Sequence, residues 1–205
     1  GGEIDLLGYP YTRGRIFDDI ETDVNQYDQL DENIDWASGT AMFVRRSALE
    51  KVGVFDADFF AHMEEIDLSL RLKRVGYQIV IEPKAIVYHM SGFTLKSGSS
   101  KKIYLNHRNN LFLLYKHYSQ LQLLFLFPLR LILELFTWLK YLIGKEPDKA
   151  RAVLNAQKDF WEMKHQFKFK RDEILKMPFA FKPKRASILW YYFLRNKKTF
   201  SNLPD

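Results

Sequence analysis

The chain has no cysteine. That excludes a disulfide framework and thiolate metal sites, and it fits a reducing compartment. It has no internal repeat, which argues against a solenoid or propeller. It begins Gly1-Gly2 rather than with methionine, and nothing there reads as a signal peptide; a start inside a Gly-Gly turn is expected of a boundary within a longer protein. No recognised nucleic-acid-binding motif is present, so nucleic acid is not an expected partner. The most apolar stretch, residues 121–143, is not free of charge either, because Arg130, Glu134 and Lys140 interrupt it.

What is present is enough for one domain with a real core, or one domain plus an appendage: 205 residues, 47% hydrophobic and 16% aromatic. Such a composition excludes a disordered chain. The charge is unevenly spread. Residues 140–205 carry 16 Lys+Arg against 7 Asp+Glu, a net +9, whereas residues 1–139 carry a net −3. A near-neutral front and a basic, aromatic-rich tail predict two functional zones, the tail with an anionic partner.

Residues 1–35 are polar and turn-rich and predict a long loop region with at most short strands. Strand-type runs follow at 40–45, 78–81 and 85–89. Ser47 and Glu50 form a Ser-x-x-Glu box over a brief helix that Gly53 stops. Apolar residues from Ile66 to Val75 among charges predict a helix over 64–75, stopped by Gly76. A second helix is expected from Ile103 to about Lys116, after a Ser/Gly/Lys-rich loop. In 121–143 the residues Arg130, Glu134, Thr137 and Tyr141 recur at three- and four-residue intervals. This is one polar stripe on a greasy helix, suited to lying in a membrane interface; a core helix of a soluble domain fits the same pattern. Aromatic and basic residues alternate through 160–171, which suits an anionic bilayer or a nucleic-acid surface, the membrane being the simpler partner beside the greasy helix.

Several residues in 36–109 have a bland and a chemical reading. Glu64, Glu65 and Asp67 share one helical turn. They either complement the helix dipole in solvent or assemble acid–base chemistry. Trp36 precedes Ser38-Gly39 and is either a core indole or a stacking platform for a ligand. His89 closes a strand-type run ahead of Gly92 and Thr94. Arg108, with Asn106 and Asn109, either polarises a helix start or reaches a diphosphate. Asp56-Ala57-Asp58 spells Asp-x-Asp inside a Gly-x-Phe-Asp turn, so turn chemistry is the better account.

Taken in order, Trp-Ala-Ser-Gly at 36–39, Gly-Val-Phe-Asp at 53–56, Glu-Glu-Ile-Asp-Leu at 64–68, Gly76-Tyr77 and His-Met-Ser-Gly-Phe-Thr at 89–94 resemble the acceptor-binding half of inverting family 2 glycosyltransferases of the GT-A type, rhamnosyltransferases in particular. The resemblance implies an α/β fold, the acceptor-side half of a Rossmann-like GT-A domain over 1–120, followed by membrane-associating helices over 121–205. It implies that Glu65 is the general base on the acceptor hydroxyl, with Glu64 and Asp67 beside it. Trp36, Ser38, Gly39 and Arg108 would contact acceptor or donor, and His89 would be a ligand to Mn²⁺ or Mg²⁺ held by the donor diphosphate. The expected partners are a nucleotide-sugar, a glycan or lipid-linked acceptor and an anionic membrane surface. The expected place is the cytoplasmic face of the bacterial cytoplasmic membrane, bound peripherally. The strand–helix units that cradle a nucleotide and the metal-binding Asp-x-Asp are not found, so residues 1–205 alone are expected to be inactive. The rival is a non-catalytic membrane-docking module.

Overall fold

A computed structural model describes residues 1–28, 33–90, 96, 98–184 and 186–204. Two compact units interleave along the chain: Gly1–Phe55, Leu68–Tyr88 and Pro178–Asp205 form one, Asp56–Asp67 and His89–Met177 the other.

The first unit carries a four-stranded antiparallel meander, β1 (Gly2–Ile4), β2 (Pro10–Thr12), β3 (Arg15–Ile16) and β4 (Asp19–Ile20), in sequential order. Gly2 pairs with Thr12, and Arg15 with both Thr12 and Ile20. The β1–β2 turn is built by the buried Asp5, whose carboxylate accepts the N–H groups of Leu7 and Tyr9 at 3.0 and 2.7 Å. Gly14, at φ +82°, supplies the left-handed residue of the β2–β3 turn. The rest of this unit's core joins Ala48 of α1 (Arg46–Val52) to Leu68 and Leu72 of α2 (Glu64–Arg74), flanked by Met42, Tyr77 and Ile79. Arg71 ties the two helices: its guanidinium donates to the carbonyls of Val52, Gly53 and Val54 at the end of α1, groups that a helix terminus leaves unpaired.

Sequence and structure agree on the helices better than on the strands. Helix α1 starts at Arg46, so Ser47 lies inside it rather than capping it, and Gly53 closes it at φ +79°. Helix α2 fills the predicted span, with Gly76 at φ +90° beyond its end. The strands expected at 40–45, 78–81 and 85–89 do not form. Residues 39–41 make a 3-10 turn, residue 80 makes a single bridge to Asn33, and Ile86, Val87 and Tyr88 stand exposed. A strand needs a neighbour to take its backbone groups, and the described residues supply no further one here. The class is mixed helix and small antiparallel sheet; the Rossmann-like half-sheet is not built by these residues.

The second unit is helical: α3 (Ser100–His117), α4 (Gln120–Ile143), α5 (Pro147–Met163) and α6 (Lys168–Leu175). Ser99 caps α3, and Ser119 with Gln122 forms a reciprocal capping box on α4. Phe59, Leu111, Phe112, Phe160 and Phe167 make its core, the rings of Phe112 and Phe167 stacked 4.0 Å apart. Each such buried ring contributes about 1.5–3 kcal/mol. The polar stripe of α4 does not face water. Arg130 and Glu134, 1% and 3% exposed, point at α3 instead. Arg130 donates to Asn110 Oδ1 at 2.5 Å, and Glu134 is bonded to His107 Nδ1.

Candidate active site

The acidic start of α2 belongs to the second unit and is presented by a strained turn. Phe60, His62 and Met63 all have positive φ, at 64°, 69° and 74°, although none is glycine. Each such residue costs of order 1–3 kcal/mol and persists only where its surroundings impose it. Here α3 imposes it. Asn109, fully buried, donates from Nδ2 to the carbonyls of Phe59, Ala61 and His62, each at 2.8 Å. Arg108 donates to the carbonyls of Asp58 and Phe59 at 3.2 Å, and its Nε meets Asn109 Oδ1 at 3.0 Å. Its guanidinium is thus taken up by protein groups and is itself buried.

Two turns further along the same face of α3, Lys116 and His117 hold the other side of this segment. Asp67 is 0% exposed and lies 2.6 Å from Lys116 Nζ and 2.9 Å from His117 Nε2. Lys116 also reaches Asp56 at 2.8 Å, and Lys170 bridges Asp56 and Asp58 at 2.6 Å each. Burial raises the Asp56 carboxyl, but Lys116 and Lys170 outweigh it and hold the group below its ordinary value. Asp56 Oδ1 also accepts the N–H of Asp58, capping the 3-10 turn at 57–59. Asp67 is therefore a structural anchor of the acidic turn, and Asp56 and Asp58 do turn and ion-pair chemistry. Sequence reading passed over Lys116, His117 and Lys170. The signal available was the seven- and eight-residue spacing from Asn109, which puts Lys116 and His117 on its face of the helix.

Glu65 is the carboxyl in this turn that is raised toward neutrality. Burial, and then the neighbouring charge of Glu64, push its carboxyl up to about 7 from an ordinary 4.5. A carboxylate poised near neutrality can accept a hydroxyl proton and release it again. One carboxylate oxygen of Glu64 and the Nε2 of the half-buried His62 are shielded from solvent with no hydrogen-bond partner among the described residues. Burial, with Lys102 nearby, lowers the His62 imidazole below its ordinary value.

The remaining sequence-predicted residues are placed as follows. In the first unit Trp36 is buried and donates its indole N–H to Glu3 O at 3.0 Å, so the geometry is that of a core indole. Ser38 and Gly39 are exposed, and Ser38 Oγ accepts the N–H of Thr40. In the second unit His89 is exposed, and Ser91 to Thr94 of its turn lie outside the described residues. The described residues contain no group of three or more His, Cys, Asp or Glu arranged to hold a metal. His89 by itself fits the role of a single ligand and no more. A cavity of about 550 Å³ in the first unit is lined by Arg13, Arg15, Glu21, Asp23 and Tyr27 among others, and none of the candidate site residues is among them.

An acidic helix start with one carboxyl raised to about 7 thus sits on a mixed helix and sheet chain. The family is shown directly: residues 11–145, well over half of the chain, match the model of glycosyl transferase family group 2, and the chain belongs to it. It is similar to an N-acetylglucosaminyl-diphospho-decaprenol L-rhamnosyltransferase of Mycobacterium tuberculosis, 34% identical over 85 residues, 41% of this chain and 28% of that protein. It is also similar to rhamnosyltransferase WbbL of Escherichia coli K12, 35% identical over 71 residues, 35% of this chain and 27% of that one. The chain thus matches under a third of the length of these relatives. No solved structure matches it.

Proposed function

We propose that the full-length protein transfers a sugar, rhamnose in the reading its relatives favour, from a nucleotide-sugar to a glycan or lipid-linked acceptor with inversion at the anomeric carbon, at an anionic membrane surface to which it binds peripherally on the cytoplasmic face. The observation that carries this is Glu65, sunk at the start of α2 with its carboxyl near 7. As general base it takes the proton of the acceptor hydroxyl while that oxygen attacks the anomeric carbon. The bond to the nucleotide diphosphate breaks on the opposite face, and the configuration inverts. Glu64 holds negative charge beside it and keeps its proton affinity high. Asp67, Lys116 and His117 fix the turn. Mn²⁺ or Mg²⁺ would ride on the donor diphosphate, with the exposed His89 as one protein ligand, where it would neutralise charge on the departing diphosphate.

Changing Glu65 to Gln in the full-length protein tests this reading. Turnover with nucleotide-rhamnose should fall while binding of nucleoside diphosphate with Mn²⁺, read by calorimetry, stays. Wild-type turnover in the variant would remove Glu65 from the role. Calorimetry with UDP, GDP and dTDP also identifies the donor class.

A further inference from the structure

Turning the polar stripe of α4 inward leaves the helix inside out. Arg130 and Glu134 face α3, while Leu124, Phe125, Ile132, Leu135 and Phe136 stand in solvent, Phe125 at 73% and Phe136 at 62% exposure. Positions 125, 132 and 136 fall on one line along the helix. A water-soluble surface helix has the opposite arrangement, and an apolar stripe of this length is far larger than the scattered exposed side chains of an ordinary surface.

We propose that this face of α4 is a docking surface that lies in the plane of an anionic bilayer, its apolar side chains among the upper acyl chains; the proposal rests on the membrane-surface reading above and names the face, the mode and the lipid chemistry. Length and composition alone would let α4 cross a membrane, with only 17% of its most apolar window buried. The neighbours argue against crossing. The inward side of α4 packs along α5, and Arg130 and Glu134 bond it to α3, which brings buried Arg108, Lys116 and His117 with it. Crossing would drag those charges into hydrocarbon, whereas lying flat leaves them in protein.

The flank of the face points to anionic lipid. Trp161 of α5 packs on Phe127 of α4 with ring centroids 6.2 Å apart, and Lys164 stands 4.0 Å over the Trp161 ring. Lys140 and Lys145 are exposed at the end of α4. An aromatic ring under an ammonium at the margin of an apolar face is suited to headgroup depth. A second copy laid on this face would bring two basic flanks together, while anionic headgroups neutralise them.

The test is flotation of the full-length protein with vesicles of phosphatidylcholine, with and without phosphatidylglycerol, for wild type and for Phe125→Glu/Ile132→Glu/Phe136→Glu. All three positions are exposed, so circular dichroism and melting should be unchanged. Wild type should float, more strongly with phosphatidylglycerol, and the triple variant should lose more than ~10-fold in partition. An Ile132→Trp variant should be quenched by lipids brominated near the headgroup more than by those brominated at the chain end. Unaltered flotation of the triple variant overturns the proposal. So does quenching deepest at the bilayer centre, which means a span, or a wild-type dimer that ignores vesicles and dissociates in the triple variant, which means a second copy covers the face. Glu65→Gln should float as wild type does. If it floats and keeps its turnover, only the transfer reading is lost; if it is inactive and wild type does not float, only the docking is lost.

Discussion

Helix α3 holds two buried charge clusters, and they do different work. One joins Lys116 and His117 to Asp67 and Asp56 and fixes the acidic turn. The other joins His107 and Asn110 to Glu134 and Arg130 and fixes the rotation of α4. Both remove charges from water and return the cost through close pairing, which is worthwhile only if every member is satisfied. The difference lies in what is held. The first cluster holds a loop in backbone conformations it would otherwise leave, so its product is the aim of Glu65. The second holds a helix that would otherwise roll its charges toward water, so its product is an apolar outer face. In the functions proposed above, the same ion-pair physics serves chemistry in one place and location in the other.

Substitutions sharpen that contrast. Glu65→Gln should reduce turnover of the full-length protein by roughly 10²–10⁴-fold, the usual range for a general base, with melting little changed. Asp67→Ala leaves Lys116 and His117 facing a gap and should cost about 3–5 kcal/mol of stability by urea unfolding, with turnover lost as well. Glu134→Ala should cost a comparable amount of stability for the same reason, but its signature is different: vesicle partition falls because α4 is free to roll, while turnover on a soluble acceptor follows the folded fraction. If Glu134→Ala abolishes turnover in protein that remains folded, the two clusters are not separable. Asn109→Ala should cost about 1–3 kcal/mol, since carbonyls of the strained turn lose their donor. Its kcat should fall more than its KM rises, a split that loss of stability alone would not produce.

Much of this was legible in the sequence, for physical reasons that differ by element. The start of α2 shows in the pattern Glu-Glu-Ile-Asp-Leu and in Gly76, because a helix terminus is a local event. The proposal that Glu65 is the base also starts from the sequence, through motif order and family. The strands were not, since their apolar runs look the same whether or not a neighbour exists to pair with them, as Ile86 and Val87 illustrate. The Arg130–Glu134 pair was visible at its four-residue spacing, but its direction was not. Spacing fixes which residues share a face, and only packing decides whether that face meets water or α3. The partners of Asp67 and Asp56 lie about fifty to over a hundred residues away, beyond any local pattern. Trp36 was open between core and ligand in the sequence, and only the bond to Glu3 O distinguishes the two. A shift in composition near residue 120 likewise marks a change of character along the chain, whereas the compact units are interleaved.

The smallest effect is also the sharpest test of what the acidic turn does. Burial comes first and Glu64 second among the causes that raise Glu65 to about 7. A base must be ionised to work, so turnover should climb with pH through about 7 and level off above it. Stability should run the other way. The folded state binds this proton more tightly than the unfolded chain does, so the contribution is full below 4.5 and is lost as pH rises to about 7. Glu64→Gln removes the second cause and leaves the first. The acidic limb of the rate profile should therefore move to lower pH without vanishing, and the fall in urea midpoint across that window should shrink with it. Glu134→Gln, in the other cluster, should move neither. A limb that stays in place in Glu64→Gln would mean that the ionisation limiting turnover belongs to some group other than Glu65, and the functional contrast between the two clusters of α3 would lose its chemical half.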